Sequence, residues 1–344
     1  MPSPDSTWMH AEAAEAAAAV ARQFAANAPI IDTLVEHLRT HPPRFIVTCA
    51  RGSSDHAATY GKYLFETELG LVTASASPSV GSVYAVQPKM DGALFVAISQ
   101  SGKSPDLLRN AEIAKAAGAH VLALVNVADS PLARLAHTVL PLHAGPENSV
   151  AATKSYLCSL AALLQLTARW SGDGKLLAAV DALPEAMRAA WAQDWSALTS
   201  GLRLARHLFV LGRGLGLGAA QEAALKFKET CGLHAEAFSS AEVKHGPMAI
   251  VGPDFPVLVF AQDDDIGAGT ADVAREFRGR GAPVWLARPG TAGAGVLPLP
   301  PSPHPACTPI LTVQAFYAAA NALSLARGFD PDVPPHLNKV TETV

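Results

Sequence analysis

The feature that most constrains this chain is an internal repeat. Phe45-Ile46-Val47-Thr48-Cys49-Ala50-Arg51-Gly52 aligns with Leu208-Phe209-Val210-Leu211-Gly212-Arg213-Gly214 at an offset of about 163 residues. Each segment is an apolar strand that ends in Arg-Gly and runs into a helical pattern. Further on, Ala93–Ile98 matches Pro256–Ala261, and Gly118–Leu124 matches Gly281–Ala287. Continuous apolar strands that alternate with helices require parallel sheets covered on both faces. The repeat therefore predicts two tandem doubly wound α/β domains, each a three-layer αβα sandwich. Ligands of such sheets sit at the carboxyl ends of the strands.

The totals agree with two cores. The chain has 344 residues, of which 49% are hydrophobic and 16% charged. A net charge of −4 with no long basic run argues against nucleic acid as a partner. Cys49, Cys158, Cys231 and Cys307 are far apart, with neither disulfide nor metal spacing, which suits a reducing cytoplasm. No metal and no cofactor are expected. Residues 1–8 lack the apolar core of a signal peptide. The apolar stretches at 156–169 and 310–326 are interrupted by Gln165 and Thr167, and by Gln314 and Asn321. They read as core helices, so no membrane span is expected. The expected division is an N-terminal helix over 1–28, a first domain over 29–172, linker helices and a second domain over 173–329, and a tail over 330–344. Within that tail Asp330–Pro335 holds three prolines and cannot be helical.

Ser99-Gln100-Ser101-Gly102-Lys103-Ser104 links the buried strand pattern of Ala93–Ile98 to a helical pattern starting at Pro105. A strand, a short hydroxyl-rich turn with a glycine and a helix N-terminus together make an anion site. The first-turn N–H groups have no intrahelical acceptor, and the helix dipole adds partial positive charge. Three Ser hydroxyls and the Gln100 amide can donate to phosphate oxygens. The matching position of the second half reads Gln262-Asp263-Asp264-Asp265, whose carboxylates repel a phosphate. The phosphate site is thus expected in the first half alone.

The second half carries other chemistry. Glu222, Lys226 and Glu229 share one face of a helix rich in small residues. That charged stripe is either a solvated salt-bridged face or a functional one. His234-Ala235-Glu236 and Glu242-Val243-Lys244-His245-Gly246-Pro247 read as a structured loop carrying a proton-transfer group. Glu147–Lys154 is a polar loop running into a core helix, where Ser149 and Thr153 can cap the helix or touch a ligand. Gly212, Gly214, Gly216 and Gly218 follow a strand, but no acidic residue ends a second strand about twenty residues on, which argues against a dinucleotide.

Taken together, these segments resemble the sugar isomerase (SIS) family, in particular the isomerase domain of glucosamine-6-phosphate synthase and its stand-alone deaminase relatives. The pieces that carry the resemblance are Gly52-Ser53-Ser54, Ser99-Gln100-Ser101-Gly102, Glu147–Lys154, Ala224–Glu229, His234-Ala235-Glu236, Glu242–Pro247 and Leu337-Asn338-Lys339-Val340-Thr341. The resemblance implies that Gly52, Ser53, Ser54, Ser99, Gln100, Ser101 and Ser104 hold a sugar phosphate, with Glu147, Val150 and Ala151 also at the substrate. It implies that Glu229 moves a proton between sugar carbons 1 and 2, with Lys226 assisting and Glu222 and Glu147 ordering the site. Lys339 would form an imine with the keto sugar. His245 would help open the sugar ring, reaching in from a neighbouring subunit of a homodimer.

Two departures from the synthase pattern matter. Residue 2 is Pro, not the cysteine nucleophile of a glutaminase domain. Arg51-Gly52-Ser53-Ser54 stands where the synthase usually reads Cys-Gly-Thr-Ser, and Lys103-Ser104 where it reads Glu-Thr. The expected activity is therefore an isomerising glucosamine-6-phosphate deaminase giving fructose 6-phosphate and ammonia. An aldose–ketose phosphosugar isomerase, a deglycase acting on a sugar phosphate joined to an amino acid, and a phosphosugar-sensing module are the alternatives.

Overall fold

The computed structural model describes residues 3–291 and 293–339. Positions 340–344 of the expected tail, and Met1 and Pro2 of the expected N-terminal helix, lie outside the described residues. The elements in chain order are α1 (Trp8–Thr40), β1 (Phe45–Cys49), α2 (Ser53–Leu69), β2 (Thr73–Ser75), α3 (Pro78–Ser82), β3 (Ala93–Ser99), α4 (Pro105–Ala116), β4 (His120–Val125), α5 (Pro131–Leu135), β5 (Thr138–Pro141), α6 (Lys154–Ser171), α7 (Gly174–Trp191), α8 (Ser196–Leu202), β6 (His207–Gly212), α9 (Gly216–Cys231), β7 (His234–Ser239), β8 (Val257–Phe260), α10 (Asp265–Gly279), β9 (Val284–Ala287), β10 (Val296–Leu297) and α11 (Thr308–Ala326).

Two compact units result. One comprises 18–146 and 158–180 together with the chain from Asn338; the other comprises the chain up to Ala17, 147–157 and 181–337. Each holds a five-stranded, all-parallel sheet. The orders are β2-β1-β3-β4-β5 and β10-β9-β8-β6-β7. Numbered within each unit these are the same order, so the repeat read from the sequence is a repeat of topology. The order reverses between β1 and β3, and between β6 and β8. Ligand crevices of doubly wound sheets open at such switch points.

In the first unit, Val47, Phe95, Ala97, Val121 and Ala123 of the sheet pack with Leu107, Ala111 and Ala114 of α4 and Leu132 of α5. Ile46, Leu94, Val96, Leu122 and Leu124, whose side chains alternate to the opposite face, are buried as well. In the second unit, Phe209, Leu211, Val257, Val259 and Leu286 pack against Val273, Ala274 and Phe277 of α10. Helix α9 lies along β6 and β7 and packs on α11, where the Phe227 and Phe316 rings meet edge-on at 5.0 Å. By length and composition α11 could cross a membrane, but 83% of its apolar window is buried within its unit. It is a core helix, as its Gln314 and Asn321 suggest.

One segment differs from the sequence reading. The stretch after Glu229 is not all loop: His234–Ser239 forms the edge strand β7, in parallel register with β6 from His207 to Gly212. Only Ala235 of β7 is fully buried, and its neighbours His234 and Glu236 are exposed. A short edge strand needs little apolar surface, so the polar composition that suggested a loop is compatible with a strand. Two short 3₁₀ turns follow at Glu242–His245 and Pro247–Ile250.

Candidate active site

In the first unit the Ser-rich turn sits at the carboxyl end of β3, beside β1 at the switch point. Gly102 takes φ +63°, and a Cβ there would lie 2.2 Å from Ser130 Oγ, so glycine is required. Two backbone bonds pin the turn: Asn126 N–H donates to Gln100 O at 3.2 Å, and Leu132 N–H to Gly102 O at 3.1 Å. Ser99 Oγ accepts from Gly102 N–H at 3.0 Å and Ser101 Oγ from Lys103 N–H at 3.3 Å. Both hydroxyls act as acceptors in these bonds, which leaves their protons to donate. Ser104 is the N-cap of α4, yet its hydroxyl makes no capping bond. Gln100, Ser101 and Ser104 are half-buried, and Lys103 is exposed.

A second helix N-terminus stands at the end of β1. Gly52, at φ +55°, is the N-cap of α2, and Ser53 and Ser54 open the helix. Arg51 precedes it. The Arg51 Nε and Nη2 each lie 2.7 Å from Asp106 Oδ2, while Asp106 Oδ1 accepts from Leu107 N–H at 2.8 Å. The Asp106 side chain is fully buried, and that of Arg51 is 51% exposed.

In the second unit Glu222, Lys226 and Glu229 form one cluster on α9. Gly218, Ala219, Ala220, Ala223 and Ala224 keep this helix slim enough to be buried. Lys226 Nζ lies 3.2 Å from Glu222 Oε1 and 2.7 Å from Glu229 Oε2. Burial works against the Lys226 ammonium, but the two carboxylates outweigh it and the pKa is raised. Lys226 is thus a buried cation and not a neutral nucleophile. Tyr317 donates to Glu222 Oε1 at 2.9 Å, and burial, then the Glu222 charge, holds its phenol well above the usual range. Glu222 and Lys226 are fully buried, whereas the Glu229 side chain is 22% exposed. Glu229 is the member of the trio that can meet a substrate.

The Glu147–Lys154 loop belongs to this unit. The carboxylate of Glu147 caps α6: Glu147 Oε1 accepts from Thr153 N–H at 3.0 Å and Ser155 N–H at 3.1 Å, and Oε2 from Ser155 Oγ at 2.8 Å. The buried Thr153 hydroxyl has no hydrogen-bond partner among the described residues. Val150 N–H donates to Asp332 O at 3.0 Å, and Ala151 is buried. The Asp332 carboxylate in turn accepts from Trp8 N–H at 2.8 Å and Met9 N–H at 2.7 Å, so the tail is tied to the start of α1. His245 is exposed at the end of its 3₁₀ turn, and Lys339, the last described residue, is half-buried.

At the carboxyl end of β8 the acidic loop behaves differently from its Ser-rich counterpart. Asp264 is the N-cap of α10, and its Oδ1 accepts from Gly267 N–H at 2.7 Å. Arg213-Gly214 repeats the Arg51-Gly52 turn, with Gly214 at φ +56°.

Sequence reasoning singled out neither Asp106 nor Tyr317. An acidic residue in a helix's first turn and one tyrosine in an apolar helix are both too ordinary to mark a site. Only their partners, Arg51 and Glu222, give them meaning.

Comparison with known proteins converges. The model of the SIS domain matches residues 41–169 and 201–287. A glutamine–fructose-6-phosphate aminotransferase (isomerizing) of Aeropyrum pernix is 35% identical over 308 residues, covering 84% of this chain and 49% of that protein. The chain spans about half the length of the curated relatives it matches. A Silicibacter pomeroyi DSS-3 protein, solved by crystallography and named as a proposed phosphosugar isomerase, is 43% identical. It superposes with a TM-score of 0.89 over 95% of this chain and 100% of its own. The C-terminal domain of a glucosamine-fructose-6-phosphate aminotransferase from Francisella tularensis is 26% identical, with a TM-score of 0.87 over 96% and 98% of the two chains.

Proposed function

This chain belongs to the SIS domain family, and from that premise we propose that it is an enzyme of phosphosugar isomerisation, acting as an isomerising glucosamine-6-phosphate deaminase. Glucosamine 6-phosphate and water give fructose 6-phosphate and ammonia. The observation that carries this reading is the Glu222–Lys226–Glu229 cluster, in which a buried cation holds a partly exposed carboxylate at 2.7 Å. A protein that only sensed phosphosugars would have no use for it.

The Ser-rich turn and the α2 and α4 N-termini hold the phosphate, away from the carbons that react. In the open-chain sugar, Glu229 takes the proton from carbon 2 and returns it at carbon 1, which turns the carbon-2 amine into an imine. Lys339 adds to that imine and displaces ammonia, and water then hydrolyses the lysine imine to leave the ketone. Lys226 orients the Glu229 carboxylate, and Glu222 with its Tyr317 donor keeps Lys226 in place. Lys339 must be a free amine to make that addition, and hydrolysis of its imine regenerates it. Neutralising an ordinary lysine near pH 7.5 costs about 4 kcal/mol, part of which the site must supply. His245 assists ring opening from a partner subunit of a homodimer, and the enzyme works in the cytoplasm.

A panel of hexosamine 6-phosphates assayed for ammonia and ketose tests the reading. Ammonia and fructose 6-phosphate in equal amounts from glucosamine 6-phosphate are expected. Interconversion of neutral aldose and ketose phosphates without ammonia would replace the deaminase with an isomerase, and release of a free amino acid from a sugar-phosphate adduct would replace it with a deglycase. Binding without turnover of any of these would sink the enzymatic reading.

A further inference from the structure

We propose that Arg51 is a substrate-binding residue: its guanidinium, oriented by Asp106, supplies a fixed positive charge to the anion cradle of the first unit and selects a phosphate dianion. The inference rests on the phosphate role of the Ser-rich turn and adds a residue that its hydroxyl pattern does not reveal.

Location is the first argument. Arg51 follows the last residues of β1, and Asp106 lies in the first turn of α4, which follows β3. The two strands are neighbours at the switch point of the sheet. Their ion pair joins the two helix N-termini that face the cradle. Geometry is the second. Nε and Nη2 of Arg51 both address Asp106 Oδ2 at 2.7 Å. A guanidinium has five N–H donors, so the pair fixes one edge and leaves the rest for another acceptor. The buried carboxylate sets the orientation, and the half-exposed guanidinium remains open to solvent. A pair that served packing alone would have no reason to leave its cation exposed at the mouth of an anion site.

The repeat supplies an internal control. Counting from the N-caps Ser104 and Asp264, the position of Asp106 corresponds to Ile266. Ile266 Cδ1 comes within 3.3 Å of where a Cβ on Gly214 would stand. An apolar side chain thus covers the Arg-Gly turn in the second unit, and Arg213 has no ion pair there among the described residues. Among the described residues the arginine of an Arg-Gly turn pairs with the first turn of the following helix in the first unit alone, while in the second unit Asp263 of the acidic loop lies 4.0 Å from Arg288.

Inorganic phosphate binding, followed by calorimetry with the full chain, tests the proposal. Loss of charge-assisted hydrogen bonds from Arg51→Ala should weaken phosphate by about ten- to a hundredfold. Arg51→Lys keeps the charge but not the fork and should recover part of that loss. Because Arg51→Ala takes the guanidinium from a buried carboxylate, the double variant Arg51→Ala/Asp106→Asn is the cleaner test: it should show the same loss while melting close to the wild type. Wild-type affinity should also rise as inorganic phosphate passes its second ionisation near neutral pH, a rise that Arg51→Ala flattens. Wild-type phosphate affinity in the folded double variant overturns the role of Arg51 alone. A wild-type protein that binds neither phosphate nor a sugar phosphate overturns the phosphate reading, and this inference with it.

Discussion

The loop after β3 and the loop after β8 occupy the same place in two copies of one topology, and they answer the same electrostatic demand in opposite ways. Each precedes a helix whose first N–H groups need an acceptor. In the second unit Asp264 provides it internally, with its carboxylate 2.7 Å from Gly267 N–H. In the first unit Ser104 stands at the same position and makes no side-chain cap. The anion is built in at one end of the duplication, and at the other the proposed function has it arrive from outside as a phosphate. A duplicated fold can in this way keep its architecture while one copy binds and the other is freed for proton transfer. The Glu222–Lys226–Glu229 cluster lies in the copy whose helix N-terminus Asp264 caps.

The sharpest division of labour is tested at Glu229. Glu229→Gln keeps the side chain's shape and its contact with Lys226 but removes the base. Turnover should fall by about 10²–10⁴-fold, and exchange of solvent deuterium into carbon 1 of the product should fall with it, while phosphate affinity stays within about twofold. A loss shared equally by phosphate binding would mean that the two units do not divide the work as drawn. Undiminished exchange would move the base to Glu222 or His245.

The comparison can also be broken by making one loop resemble the other. Ser104→Asp installs an internal anion at the α4 N-cap. A carboxylate about 4 Å from a bound phosphate costs about 4 kcal/mol at an effective dielectric of 20. Phosphate affinity should drop more than about a hundredfold, and thermal stability should hold or rise by about 0.5–1 kcal/mol through the new cap. The reverse change, Asp264→Ser, exchanges one good cap for another. It should move stability by less than about 0.5 kcal/mol and leave the Michaelis constant untouched. If Ser104→Asp bound phosphate normally, the open N-terminus would have no part in binding.

A smaller effect is expected at Ser101. Ser101→Ala removes one donor worth about 1.5–3 kcal/mol to a charged ligand. The Michaelis constant should rise about tenfold or more, with turnover changed less. A non-phosphorylated amino sugar turned over as well as its 6-phosphate would remove the premise.

Both units were legible in the sequence because their central strands are continuous apolar runs, and the offset between Phe45 and Leu208 made the duplication explicit. The edge strands were not. Thr73–Ser75, His234–Ser239 and Val296–Leu297 each pair on one side only, and a strand with a single neighbour needs too little apolar surface to stand out. The Ser-rich turn was legible because strand, turn and helix follow each other directly in sequence. What stayed hidden were contacts between residues far apart in the chain. Asp106 meets Arg51 across 55 positions, and Tyr317 meets Glu222 across 95. Glu147 shows a third case: the family resemblance places it at the site, and only the structure shows that its carboxylate also accepts from the start of α6.

The amino ends of the two sheets offer the mildest contrast. In the second unit His207 opens β6 and packs against the Phe255 ring at 4.6 Å. In the first unit His120 opens β4 between two other imidazoles, His37 of α1 at 4.7 Å and His137 at 5.1 Å. His41 stacks on His37 from the other side, and Lys115 of α4 bears on His137. Burial first, then the charges of His37 and His137, lowers the His120 pKa from 6.5 to about 4. The unfolded chain therefore takes up this proton before the folded one does. Stability should be level above pH 6.5, fall as the pH drops from 6.5 toward about 4, and level off below. Solvent screening at this half-buried site limits the loss to about 1–2 kcal/mol. His120→Asn keeps a hydrogen-bonding group near Thr138 and removes the titration, so the acid-dependent part of the melting curve should flatten by that amount. An unchanged pH profile in the variant would show that the imidazole stack is indifferent to charge, and the two amino ends would then differ only in packing.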